Sequence, residues 1–144
     1  SSLECRALFR DYPGGIILTP HLKEMERLSD IKVDVIKKDL IATARNQADS
    51  THIYVLKDAR TIVSDGSSPT YINESGNHGM AVGGSGDVLT GLICGFLAGG
   101  LPLTEAARLG VYCHGLAGDE AAVQKGYYGL KASDIAEYLG KVIN

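Results

Sequence analysis

The segment that most constrains this chain spans residues 76–91 and reads G-N-H-G-M-A-V-G-G-S-G-D-V-L-T-G. Six of its sixteen residues are glycine, and one carboxylate, Asp87, stands where the glycines give way to an apolar run. Glycine permits backbone conformations and close approaches that a Cβ atom prevents. A glycine loop that leads into a helix presents free N–H groups and the positive end of the helix dipole, which favour an anion. An acid at the same place suits proton transfer, so this glycine-rich segment indicates a catalytic site.

The composition of the 144 residues indicates one ordinary globular domain. Hydrophobic residues make up 44% of the chain and can supply a core, while the net charge of −3 comes without a basic stripe for nucleic acid. Cys5, Cys94 and Cys113 are odd in number and form no C-x-x-C pair, which favours free thiols in a reducing cytoplasm. The longest apolar stretch, residues 88–101, is about 14 residues, short of the roughly 20 that a membrane-spanning helix needs. Neither nucleic acid nor a membrane is therefore predicted as a partner.

Apolar periodicity predicts an α/β fold, with short strands before the glycine-rich segment and helices after it. Residues 16–18 form an apolar run without alternation, typical of a strand buried on both faces of a parallel sheet. The other predicted strands are 53–56, 61–63 and 70–72, the last two joined by a turn at 65–69. The predicted helices are a short one at His21, then 33–48, 87–98, 104–124 and 133–142. Thr104 and Ser133 are the predicted N-caps of the last two helices.

Two polar residues directly follow predicted buried strands. His21 stands where open α/β sheets place their ligands, although a lone histidine is more often a helix-start or solvent residue. Lys57 follows the next strand and can pair with a phosphate, although a lysine at a strand end is usually solvated. Both interpretations of each residue stay open at this point.

Small residues within the predicted helices raise a packing question. Gly91, Gly95 and Gly99 recur at every fourth position of one helix, which predicts close packing against a neighbouring element that offsets about 1 kcal/mol of helix propensity for each glycine. His114 lies inside the next helix and is interpreted as structural.

The centre of the glycine-rich segment has neither the P-loop lysine nor the dinucleotide-binding spacing of glycines. The N–H groups of residues 84–87 can form an anion hole, and Asp87 can accept a proton from an attacking hydroxyl. This arrangement fits phosphoryl transfer to an alcohol, in which positioning and electrostatics supply most of the catalysis. The alternative is that Asp87 only caps a helix that follows a glycine hinge.

The same segment resembles the signature of bacterial ADP-dependent NAD(P)H-hydrate dehydratases, a branch of the ribokinase-like superfamily. The resemblance continues along the chain in the order expected for that family. Residues 17–21 (I-L-T-P-H) resemble its strand-end motif, and residues 55–57 (V-L-K) its lysine hairpin. Residues 110–119 (G-V-Y-C-H-G-L-A-G-D) and 132–135 (A-S-D-I) resemble its last two helices.

This resemblance implies a ribokinase-like three-layer αβα sandwich that repairs hydrated NADH or NADPH, using ADP and leaving AMP and phosphate. It implies that His21 and Asp87 contact the hydrated dinucleotide, with Gly84, Ser85 and Gly86 at the catalytic centre. Asp58 stands where the family usually has glycine. The co-substrate is ADP or ATP, with Mg²⁺ held largely by its phosphates rather than by protein ligands. The implied nucleotide-binding residues are Lys57, Asp58, Ala59, Arg60, Thr61 and Gly86.

The domain of this family is considerably longer than 144 residues, so we predict that the chain is the C-terminal portion of such a domain and needs its N-terminal half. A homo-oligomer in the cytoplasm is also predicted. Two alternatives remain. One is a small-molecule kinase of the same superfamily, such as a thiazole or pyrimidine kinase, and the other is a nucleotide-binding fragment without turnover.

Overall fold

The structure is a computed structural model that describes Phe9 and residues 12–143. The chain divides into two compact units, Ser1–Ile72 and Asn73–Asn144. All the strands of the described residues lie in the first unit, whereas the glycine-rich segment and the three longest helices lie in the second.

The first unit is a four-stranded sheet with three short helices. Its strands are β1 (Ile16–Leu18), β2 (His52–Leu56), β3 (Ile62–Ser64) and β4 (Tyr71–Ile72), and its helices are α1 (Leu22–Ser29), α2 (Val33–Ile36) and α3 (Leu40–Gln47). The sheet order is β1-β2-β3-β4, with β1 parallel to β2 and the remaining pairs antiparallel. Ile17 pairs with Ile53, and Val63 pairs with both Val55 and Tyr71. The four predicted strands and the turn that joins β3 to β4 are confirmed, whereas their order in the sheet comes from the structure alone.

The core of this unit lies between the sheet and its helices. One buried cluster joins residues of all three helices to the sheet: Met25, Ile36, Ala44, Tyr54, Leu56 and Ile62. β2 is almost entirely buried, but β1 is only half-buried, so the expectation that residues 16–18 are covered on both faces is not met in the described part of the chain. The single helix predicted over 33–48 is also wrong. Asp39 breaks it, because its side chain accepts the Ala42 N–H (2.8 Å) and starts a new helix there.

The second unit consists of helices. They are a 3₁₀ helix (His78–Met80), α4 (Ser85–Ala98), α5 (Leu103–Lys125), a second 3₁₀ helix (Tyr127–Gly129) and α6 (Ala132–Val142). The three long helices are confirmed, but both predicted N-caps are wrong. α5 begins after Pro102, whose carbonyl accepts the Ala106 N–H (2.8 Å). α6 begins after Lys131, because the Asp134 carboxylate accepts the Lys131 N–H (2.9 Å) and starts the helix before Ser133.

Glycines let α5 approach its neighbours closely. A Cβ atom on Gly110 would clash with the side chain of Ile93 on α4, and one on Gly118 would clash with the side chain of Met80. Gly91 and Gly95 on α4, by contrast, have no atom within 4 Å of the position of a Cβ atom. The predicted packing of the α4 glycines is therefore not met within the described residues, and the close packing uses the glycines of α5 instead.

Helix length and cysteine state bear on two further expectations. Over the range that the structure describes, no helix is both long and apolar enough to cross a membrane. Cys94 and Cys113 carry free thiols, and burial raises the pKa of the Cys113 thiol. Cys5 lies outside the described residues.

Candidate active site

The first unit brings His21 and Lys57 together at one edge of its sheet. β1 and β2 are parallel, so their carboxyl ends meet at the same edge, which is where open α/β sheets place ligands. His21 and Lys57 form an isolated parallel bridge directly beyond these strands. The Lys57 N–H donates to the Pro20 carbonyl (2.8 Å), which fixes the two segments against each other.

His21 is the N-cap of α1. Its Nδ1 accepts the Glu24 N–H (3.2 Å), and Glu24 Oε2 in turn accepts the His21 N–H (2.8 Å). This reciprocal pair is a capping box, so the helix-start interpretation of His21 is confirmed. The imidazole side chain is still 54% exposed, and its Nε2 lies 3.5 Å from Glu24 Oε1. The capping role therefore leaves one edge of the ring facing solvent.

Five of the six residues predicted to bind the nucleotide, residues 57–61, form the connection between β2 and β3, whereas the sixth, Gly86, lies in α4 of the second unit. Lys57 is half-buried at the start of this connection, whereas Asp58, Ala59 and Arg60 are exposed. Thr61 immediately precedes β3 and is half-buried. This short loop projects beyond the carboxyl end of β2, next to His21.

In the second unit, the glycine-rich segment turns sharply into α4. Gly84 is the N-cap and has φ of 88°, a left-handed conformation that favours glycine. The N–H groups of Ser85 and Asp87 are already bonded to the carbonyls of Val82 (3.2 Å) and Gly84 (3.1 Å). The N–H groups of Gly84 and Gly86 have no such acceptor among the described residues. Of the four N–H groups in the predicted anion hole of residues 84–87, these two are therefore available to an anion.

Asp87 is the third residue of α4 and is exposed. A Cβ atom on Gly84 would lie 3.2 Å from the Cβ atom of Ala132, the first residue of α6. The N-termini of α4 and α6 thus lie side by side, and their dipoles add positive potential at one place. Asp87, Gly84, Gly86 and this positive potential are brought together in one small region.

A buried histidine on α5, His114, binds the first residue of α4. His114 Nε2 donates to the Ser85 carbonyl (3.0 Å) and lies 3.4 Å from Ser85 Oγ. Both residues are buried, so the Ser85 side chain faces His114 and only its backbone lies along the glycine turn. The place of His114 within a helix predicts a structural residue, and its contact with the glycine-rich segment becomes visible only in the structure.

Asp119 holds the beginning of the glycine-rich segment. Its Oδ2 accepts the Gly76 N–H (2.8 Å), and its Oδ1 accepts the Asn77 side-chain amide (2.8 Å). The Asn77 Oδ1 then accepts the Gly79 N–H (3.0 Å) and caps the first 3₁₀ helix. One sequence signal points to this arrangement: Gly115 and Gly118 lie between His114 and Asp119 within a helix, where each glycine costs about 1 kcal/mol unless packing compensates.

Known proteins are similar to this chain over nearly all of its length. The family model described as NAD(P)H-hydrate dehydratase matches residues 5–141. A bifunctional NAD(P)H-hydrate repair enzyme of Moorella thermoacetica is 43% identical over 141 residues, which are 97% of this chain and 26% of that protein.

Two solved structures are similar in fold. The ADP/ATP-dependent NAD(P)H-hydrate dehydratase of Bacillus subtilis, co-crystallised with ATP and Mg²⁺, has a TM-score of 0.85 and 30% identity, covering 92% of this chain and 49% of that one. A ribokinase-like superfamily protein of Enterococcus faecalis has a TM-score of 0.76 and 32% identity, covering 96% and 51%. The chain thus spans about half the length of these structures, and the α/β fold of ribokinase-like proteins is confirmed. Because the family model matches nearly all of it, the chain belongs to the NAD(P)H-hydrate dehydratase family.

Proposed function

We propose that this chain is the C-terminal part of a domain that dehydrates hydrated NADH or NADPH at the expense of ADP. The observation that carries the proposal is the exposed Asp87 carboxylate beside the unbonded N–H groups of Gly84 and Gly86. A base and an anion-stabilising turn at one helix N-terminus suit phosphoryl transfer to a hydroxyl. The names of the Bacillus subtilis structure and of the Moorella relative support the same substrates.

The proposed reaction begins at the hydroxyl of the hydrated nicotinamide ring. Asp87 accepts the hydroxyl proton, and the oxygen attacks the β-phosphorus of ADP, so that AMP leaves. The N–H groups of Gly84 and Gly86 stabilise the charge on the transferred phosphoryl group. The new phosphate ester then leaves as inorganic phosphate, the neighbouring ring carbon loses a proton to solvent, and the ring regains its double bond. Phosphorylation converts hydroxide, a poor leaving group, into a good one, which explains the use of a nucleotide in a dehydration.

The remaining contacts are assigned on the resemblance and on the geometry of the first unit. We assign His21 to the hydrated dinucleotide and residues 57–61 to the adenine nucleotide. The support is that His21 and Lys57 adjoin at the carboxyl edge of the β1–β2 pair, with the loop after Lys57 exposed beside them. Asp58 is negative where the family usually has glycine, so we expect Asp58→Gly to lower the KM for ADP.

Magnesium is assigned to the nucleotide rather than to a protein cage. Within the described part of the chain, no group of three or more His, Cys, Asp or Glu side chains is placed so that it could hold a metal ion. Mg²⁺ keeps several waters and is commonly bound through substrate phosphates, which fits a site that supplies N–H groups and few carboxylates. The ion would supply charge neutralisation on the phosphates.

We also propose that an N-terminal half of the domain covers α4. Of the fourteen residues of α4, only Ser85, Leu89 and Ile93 are buried, although Asp87 is its one charged residue. A helix with so few polar residues is usually covered by other parts of the protein on most of its surface. Gly91→Ala tests this: it should destabilise the complete domain, whereas an uncovered helix would gain up to about 1 kcal/mol from the better helix former.

A cytoplasmic location, supported by the free thiols, and a homo-oligomer remain proposals.

The decisive experiment uses the complete domain with hydrated NADH and ADP. We expect recovery of the reduced nicotinamide absorbance together with stoichiometric phosphate and AMP. Asp87→Asn should lower turnover by roughly 10²- to 10⁴-fold, the usual contribution of a general base, and leave ADP binding intact. Glu137→Gln, an exposed acid on α6, serves as the matched control and should be unaffected.

Two results would overturn the proposal in favour of the alternatives. A stable phosphorylated alcohol among the products would identify a kinase of the same fold. Binding of ADP with no change in the hydrate, even in the complete domain, would identify a nucleotide-binding protein without turnover.

A further inference from the structure

α5 contacts the glycine-rich segment at its beginning and at the point where it enters α4. Asp119 accepts hydrogen bonds from Gly76 and Asn77 at the beginning, and His114 donates to the carbonyl of Ser85, the first residue of α4. The two anchors belong to one helix and are about 7.5 Å apart along its axis, at 1.5 Å per residue. A single rigid element therefore sets the distance between the two attachments.

The position of Asp87 depends on these attachments. Its carboxylate makes no hydrogen bond or ion pair with the residues that the structure describes, and its side chain is exposed. Only the backbone of the first turn of α4 determines where the carboxylate stands. That turn is held by the bond from His114 to the carbonyl of Ser85, two residues before Asp87.

We infer that His114 is a positioning residue for the base: its Nε2–H fixes the first turn of α4, and thereby the Asp87 carboxylate and the Gly86 N–H. The inference rests on the proposed function for the reaction that the carboxylate serves. His114 and Ser85 are both buried, so water does not replace the lost donor readily. Displacement of a catalytic group by about 1 Å can lower the rate by about 10²-fold, so loss of the buried hydrogen bond from His114 should have a measurable effect on turnover.

Three variants of the complete domain separate positioning from simple stabilisation. His114→Leu removes the donor, whereas His114→Gln keeps an amide N–H at the same number of bonds from the backbone. Glu120→Gln, an exposed neighbour on α5, is the matched control. We expect His114→Leu to lower kcat by about 10- to 100-fold with little change in the KM for ADP, and His114→Gln to recover most of that loss.

A double-mutant cycle with Asp87→Asn tests whether His114 acts through Asp87. If it does, His114→Leu lowers the residual rate of Asp87→Asn only slightly, because the group that it positions is already gone. If the two losses multiply, His114 acts independently of Asp87 and the inference is overturned. Equal losses in His114→Gln and His114→Leu would overturn it as well.

Native-state hydrogen exchange gives a readout that does not depend on activity. Loss of a buried hydrogen bond should speed amide exchange in residues 85–90 by about 5- to 30-fold in His114→Leu, and neither His114→Gln nor Glu120→Gln should do so. Unchanged exchange in 85–90, or an equal rise throughout the domain, would overturn the inference. If the wild-type domain does not dehydrate the substrate, the proposed function fails, whereas localised exchange still demonstrates that His114 positions this turn.

Discussion

Gly115 on α5 is the position at which one added methyl group should do most damage. A Cβ atom there would clash with Ser75 Oγ and would lie 2.7 Å from the Ser75 carbonyl carbon and 2.8 Å from Ser75 Cβ. Ser75 cannot easily withdraw. Its hydroxyl lies 3.0 Å from the Tyr112 carbonyl oxygen and 2.9 Å from Asn73 Oδ1, and the next residue is bonded to Asp119. The backbone of the glycine-rich segment must therefore move by about 1 Å to restore an ordinary contact.

The cost of Gly115→Ala follows from two opposing effects. Alanine in place of glycine favours a helix by about 1 kcal/mol, whereas overpacking of a tight contact costs about 1–3 kcal/mol. We take the upper end because the clash involves a pinned backbone, and expect a net loss of about 2 kcal/mol. Gly140→Ala on α6 is the matched control, since nothing lies within 4 Å of its Cβ position, and it should gain up to about 1 kcal/mol.

The two variants should thus differ by about 3 kcal/mol in free energy of unfolding, or roughly 6–12 °C in Tm. Urea unfolding and calorimetry of the complete domain measure this difference. Turnover should fall in Gly115→Ala even well below its Tm, because the displaced segment carries the turn before Asp87. A Gly115→Ala protein at least as stable as Gly140→Ala would refute the packing argument.

Two further predictions concern the other glycines and the pH. Gly84→Ala should lose about 1–2 kcal/mol in free energy of unfolding and most of its activity, because φ of Gly84 is 88°. Gly83→Ala should resemble wild type, because no atom lies within 4 Å of its Cβ position. Equal stability of the two variants would contradict this reasoning. The pKa of His52 is raised above 6.5 by its hydrogen bond to the Phe9 carbonyl and then by Asp49. The protonated His52 therefore contributes its full stabilisation of the folded state below pH 6.5, and this contribution is lost as the pH rises through the raised pKa. The urea midpoint should fall from about pH 6 to about pH 8, and less so in His52→Asn; an undiminished fall in the variant would exclude His52 as the cause.

The strands and the glycine turn before α4 are the parts that the sequence predicts well, because both depend on local pattern. Apolar runs bounded by turns are sufficient to predict β1 to β4 and to place His21 and Lys57 after β1 and β2. That the two residues adjoin follows only from the parallel pairing of those strands in the structure. The turn before Asp87 follows from its glycines, whose conformation is a property of single residues.

The parts that could not be predicted depend on competition between side chains or on tertiary contacts. Asp39 lies within a segment whose apolar residues recur with the period of a helix. The predicted helix is split because the Asp39 carboxylate accepts the Ala42 N–H and caps a new helix. Similarly, Asp134 rather than Ser133 settles where α6 begins. The glycines of α4 and α5 look equivalent in a sequence, and only the fold distinguishes the closely packed ones from those left open.

The role of α5 explains why a helix buried on much of its surface contains glycines, a histidine and an aspartate instead of larger apolar residues. In a helix that had no glycine-rich segment against it, a leucine or isoleucine at these positions would add burial of about 1.5–3 kcal/mol each, which a core selected for stability alone would retain. Gly115 and Gly118 instead allow the glycine-rich segment to lie against the helix backbone, at a distance from which His114 and Asp119 can bond to it directly. The composition of this helix is therefore better explained by the need to hold an exposed carboxylate in place than by the need to fill a core.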